Sequence, residues 1–149
     1  MYTTTARLGT ALCLTVSTLV LPLAVRADAS TAPQCTTTTT VLLYDNHSRD
    51  GWPTTMPSTA SGDVNCWMAR GDFSTGVGAL QKALNDCNPA TPRLKVDDDY
   101  GLLTQSAVHS FQQNVSITAD GVYGGQTRDA MYWPADVDSA LCLPALPRG

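Results

Sequence analysis

The chain contains no glutamate; all thirteen of its acidic residues are Asp. That absence excludes a HExxH zinc peptidase, in which the Glu beside the first ligating His acts as base. It also weighs against a lysozyme- or transglycosylase-type hydrolase, whose proton donor is a carboxylic acid and most often Glu. Histidine is scarce too, with His47 and His109 the two copies, and zinc sites commonly need two or three. His109 falls mid-helix among polar residues and His47 in an Asn-His-Ser turn, so neither is expected to hold a metal, and no cofactor is expected.

Positive charge is sparse. Arg7 precedes an apolar run from Leu8 to Val25, and Val25-Arg26-Ala27 has the small-x-small form of a signal-peptidase site. Residues 1–27 therefore read as a secretory signal cleaved before Asp28. Leu12 before Cys13 is wrong for lipid attachment, and no comparable apolar run follows, so no membrane association is expected after cleavage. Without Arg7 and Arg26, seven basic residues face thirteen acidic ones, a formal charge of −6. Nucleic acid is a poor partner for such a chain, because affinity there comes largely from Lys and Arg on phosphates. The expected location is secreted, either extracellular or wall-associated.

Four cysteines remain after cleavage, Cys35, Cys66, Cys87 and Cys142. An even number in a small secreted chain indicates disulfides, and four cysteines allow three pairings. The expected pairing is Cys66–Cys87 with Cys35–Cys142, tying a segment before a helix to that helix's end and one tail to the other. The spacings are wide and include no CxxC, which argues against a zinc site.

The chain divides by composition. Residues 28–63 are rich in Thr, Ser and Pro and read as an extended arm, with one hairpin or a flexible linker as the alternatives. Residues 64–135 carry helical spacing, and 136–149 form a short tail. Val77, Leu80, Ala83, Leu84 and Cys87 share the face of a first helix, started by Ser74 or Thr75 and ended by Asn88-Pro89. A second helix is expected over about Leu102–Asn114, with Ala107, Val108, Phe111 and Val115 as its stripe. A third is expected from about Gly125 to Trp133, stopped by Pro134.

Two stretches share one frame. Asp97, Tyr100, Gly101, Thr104 and Ala107 correspond to Asp120, Tyr123, Gly124, Thr127 and Ala130, 23 residues later. Each copy reads as a turn, a Gly of unusual backbone angle, and a helix whose first-turn Thr bonds free amides. The copies are devices for starting helices two and three. Asp97-Asp98-Asp99 reads as a solvated turn, since the longer Asp-x-Asp-x-Asp-Gly frame of a calcium loop is missing.

Taken in order, Val77-x2-Leu80-Gln81-x2-Leu84, Asp97-x2-Tyr100-Gly101-x2-Thr104-x2-Ala107-Val108-x2-Phe111-Gln112 and Asp120-Gly121-Val122-Tyr123-Gly124-x2-Thr127 resemble the peptidoglycan-binding domain family. The resemblance covers about Cys66 to Trp133. Asp98 and Ser116 stand where the family usually has Gly, and Tyr stands for the commoner Phe in both copies. The resemblance implies a mainly α fold, a three-helix peptidoglycan-binding-like bundle with an extended, disulfide-tied N-terminal arm. It also implies a monomeric, non-catalytic secreted module for peptidoglycan or a related wall polymer. The ligand would lie in a groove between helices two and three and the turns that start them. Asp120, Tyr123, Gln126, Arg128 and Trp133 are the candidate contacts, with Arg128 suited to a stem-peptide carboxylate. The alternative is a structural or inhibitory protein-interaction domain that kept the fold without wall binding. An enzyme is disfavoured by the missing Glu and by flanks too short for a second core.

Overall fold

A computed structural model describes residues 32–45, 51–89 and 93–145. The expected signal segment, its expected cleavage site and His47 lie outside the described residues.

The Thr-rich arm is a β-hairpin. Strand β1 (Thr37–Leu43) pairs antiparallel with β2 (Trp52–Ser58), in a register that sets Thr37 opposite Ser58 and Leu43 opposite Trp52. β-branched residues suit this extended backbone, and a two-stranded ribbon has only edges, so Pro53 and Pro57 cost it little. Helices α1 (Thr75–Asp86) and α2 (Leu102–Asn114) follow. α3 is only Gly125–Ala130, and the chain then turns into β3 (Tyr132–Pro134), which pairs antiparallel with β4 (Cys142–Pro144).

The expected mainly α three-helix bundle is therefore incorrect. The fold of the described residues is mixed, with two small antiparallel sheets and three short helices. Two physical reasons stand out. The buried line of α2 is Thr104, Val108 and Gln112, too polar and too narrow for a helix–helix seam. Helix α3 ends early because Trp133 is claimed by pairing with Leu143, while its indole Nε1 donates to the Arg128 carbonyl at 3.2 Å. α1 instead lays its apolar face mainly on β2, burying Val77, Leu80, Ala83 and Leu84 as expected. One core results, in which Leu43 and Met56 from the hairpin and Leu143 from β4 join Met68, Leu80, Leu84, Tyr100, Tyr123 and Trp133.

The disulfides are Cys35–Cys66 and Cys87–Cys142, not the expected pairing. Backbone hydrogen bonds explain both. Cys35 N–H donates to the Trp67 carbonyl at 2.9 Å and Trp67 N–H to the Pro33 carbonyl at 3.0 Å, which sets Cys35 beside Cys66. At the other end, the Asn88 side chain bridges to the Tyr132 backbone in both directions, at 2.6 and 3.0 Å. β3 and β4 then place Cys142, opposite Pro134, at the end of α1.

Candidate functional site

The repeated frame is built around two buried glutamines. Gln81 of α1 donates through Nε2 to the Asp97 carboxylate (2.9 Å), the Asp99 carbonyl (2.9 Å) and Thr104 Oγ1 (3.1 Å), and its Oε1 accepts from the Asp97 and Asp98 amides. Gln112 of α2 repeats this on the second turn. It donates to the Asp120 carboxylate (3.1 Å), the Val122 carbonyl (2.9 Å) and Thr127 Oγ1 (3.0 Å), and accepts from the Gly121 amide (2.8 Å). Each helix thus clamps the turn that starts the next helix. The two Thr hydroxyls do not cap free amides as expected; they bridge the glutamine to the carbonyl of the preceding turn. Gly101 and Gly124 are the N-caps, with ordinary extended backbone. The left-handed positions lie elsewhere, at Asp98 (φ 64°) and the matching Gly121 (φ 70°).

Asp97 shows what the clamp does electrostatically. Its carboxyl is held below the usual aspartate range, chiefly by the Gln81 amide, against some desolvation and with help from the Asp99 amide and Lys95. Tyr100 and Tyr123 lie beneath the two turns, fully buried, and burial pushes both phenols well above their usual range.

A groove of about 520 Å³ opens on the second turn, within the ordinary span of ligand sites. Its floor is the turn itself with the start of α3, from Thr118 through Asp120 and Gly124 to Asp129. α2 contributes Gln112 to the lining, and the opposite wall is formed by Ala32 and Pro33 of the arm with Asn65 and Trp67. The Cys35–Cys66 bond and the parallel Gln34–Trp67 bridge draw these segments together. Gly125 allows the close approach, since a Cβ there would sit 3.2 Å from Asn65 Oδ1.

Of the five candidate contacts, Asp120, Gln126 and Arg128 line this groove. Tyr123 and Trp133 do not: both are fully buried, packed edge to face with centroids 6.2 Å apart. Arg128 is already engaged, its Nη1 donating to the Val64 carbonyl at 3.0 Å and its Nε to Asp129 Oδ1 at 2.7 Å. The aromatic surface on offer is Trp67, which sequence reasoning passed over. Its one signal was adjacency to Cys66, and that acquires meaning only once the disulfide partner is known. Among the described residues, no group of three or more metal-ligating side chains occurs, and no helix is long and apolar enough to cross a membrane.

No curated protein matches this chain. Residues 74–131, which hold α1, α2 and α3, both glutamine clamps and the groove floor, match the family described as a putative peptidoglycan binding domain.

Proposed function

We propose that the chain is a secreted, non-catalytic, monomeric module that holds peptidoglycan or a related wall polymer in the groove between the second turn, α3 and the N-terminal arm. The observation that carries this reading is the position of the groove: its floor belongs to the segment that matches the family of putative peptidoglycan binding domains. The lining suits a polymer of sugars and short peptides. Asn65, Gln126 and Thr118 offer amide and hydroxyl groups, and Trp67 offers a face for apolar sugar or peptide surface. Two disulfides agree with an oxidising compartment.

Co-sedimentation of the oxidised protein with insoluble peptidoglycan, with and without its teichoic acid, tests the proposal. Pelleting that survives moderate salt is expected, together with loss of pelleting in Trp67→Ala. Protein that stays in the supernatant under all conditions would overturn it. That result would favour a protein-interaction role, which has its own support in the exposed side chains of Phe73 (75%), Leu102 (59%) and Leu103 (65%) around the first turn.

A further inference from the structure

The groove's charge balance points to the kind of group it accepts. Asp120, Asp129 and Arg128 are its three ionic side chains among the described residues. The cation is spent: Arg128 is 15% exposed and gives both Nε and Nη2 to Asp129 Oδ1, with Nη1 on the Val64 carbonyl. The carboxylates are not. Asp120 is exposed and takes its bonds from Gln112 and the Val122 amide on Oδ1. Asp129 is 34% exposed, and both Arg128 contacts fall on its Oδ1. Each acid therefore keeps an Oδ2 with no partner among the described residues. Two acids against one internally paired guanidinium leave the groove net negative, and a half-buried Trp67 lies in the same lining. An aromatic face with carboxylates suits a cation. A ligand carboxylate would instead meet the two acids and find a guanidinium already engaged.

We infer that the groove selects wall polymers carrying a primary ammonium group, with Asp120 and Asp129 as acceptors and Trp67 as the aromatic face. This rests on the proposed function and narrows its ligand. Such a group is present on an uncrosslinked diamino acid of a stem peptide, on a de-N-acetylated amino sugar, and on an aminoacyl ester of teichoic acid. The three share one chemistry and differ in where the amine is attached.

The test is co-sedimentation with three preparations of the same wall: untreated, stripped of teichoic acid, and chemically N-acetylated to convert ammonium to neutral amide. Binding to the untreated wall and its loss on N-acetylation is the expected result. Loss on stripping alone would assign the amine to the teichoic ester, and retention would assign it to peptidoglycan. Unchanged binding to N-acetylated wall would overturn the inference while leaving wall binding intact. No binding to untreated wall would overturn both. Gln126, exposed at the start of α3 and with no side-chain hydrogen bond among the described residues, supplies an independent readout. Gln126→Lys should weaken binding about three- to tenfold at low salt and Gln126→Glu should strengthen it, both effects shrinking as salt rises. The opposite order would mean that the groove prefers an anion and would refute the inference. Thermal melts matching the parent show that both variants fold.

Discussion

Gln112 Nε2 lies 3.1 Å from the Asp120 carboxylate, and Gln81 Nε2 lies 2.9 Å from that of Asp97, so one donor–acceptor pair is built twice from different helices. Each glutamine also satisfies backbone groups of its turn that would otherwise be buried without partners. Losing such a set costs more than one ordinary hydrogen bond, because the stranded groups cannot reach water. Gln112→Ala is expected to lower stability by about 2–3 kcal/mol in urea unfolding. It should also loosen the groove floor, which amide exchange at Gly121 and Val122 would register. A loss below about 0.5 kcal/mol would show that the clamp is dispensable.

The first clamp predicts a pH dependence. Asp97 has a depressed carboxyl in the folded chain, held there first by Gln81. A depressed folded value means that its stabilisation is present above the ordinary aspartate range and is lost as pH falls through the folded value. Asp97→Asn should therefore be less stable than the parent at pH 7 and converge with it as pH drops below about 4. A constant difference from pH 7 to pH 3 would remove the carboxylate from the account.

The two tyrosines should respond oppositely to loss of their hydroxyls. Tyr100 OH donates to the Gly121 carbonyl at 3.0 Å, joining the first repeat to the second. Tyr123 OH is buried with no hydrogen-bond partner among the described residues. Tyr100→Phe should cost about 1 kcal/mol, while Tyr123→Phe should be neutral or stabilising, since it removes an unsatisfied buried group. Melting temperatures of the two variants, measured side by side, give the answer. Equal losses would contradict the assigned bonding.

Asp98 and Ser116 are the two non-glycine residues with positive φ among the described residues, 64° and 58°. Ser116 closes α2 in a Schellman arrangement, its N–H donating to the Gln113 carbonyl while Ile117 N–H reaches that of Gln112, both at 3.1 Å. Ser116→Gly should stabilise by about 1 kcal/mol, the usual cost of left-handed backbone for an L-residue. At Asp98 the gain is entangled with Gly78 of α1, where any Cβ would collide with the Asp98 carboxylate. Gly78→Ala should force the Asp98 carboxylate aside in the parent, and should stabilise more alongside Asp98→Gly than alone. An additive double mutant would refute that contact.

Disulfide mapping of unreduced peptides should recover Cys35–Cys66 and Cys87–Cys142. The second closes the longer loop, at a sequence separation of 55 against 31. Replacing both of its cysteines by Ser should cost about 4 kcal/mol on the chain-entropy view, slightly more than the same change at the first. Removing Cys35–Cys66 should cost wall binding as well, because it frees the arm that forms the groove's second wall.

What could be read from the chain alone was local. The Val77–Leu84 periodicity placed the face of α1, and the bounds of α2 followed from its spacing and from the turn before it. The duplicated Asp-x-x-Tyr-Gly frame marked the starts of α2 and α3, because such patterns reflect contacts between near neighbours. The glutamines of both clamps stood in plain view beside Leu80 and Phe111. Their roles stayed hidden because their partners lie up to 23 residues away along the chain. The mixed fold, the disulfide pairing, the early end of α3 and the Trp67 wall of the groove were all settled by tertiary structure. Each depends on which distant segment reaches a given backbone edge first: the arm at Trp67, β4 at Trp133, Asn88 at Tyr132. Side-chain type and periodicity state what a residue prefers to bury, but not which of several apolar or hydrogen-bonding partners the folded chain will bring to it.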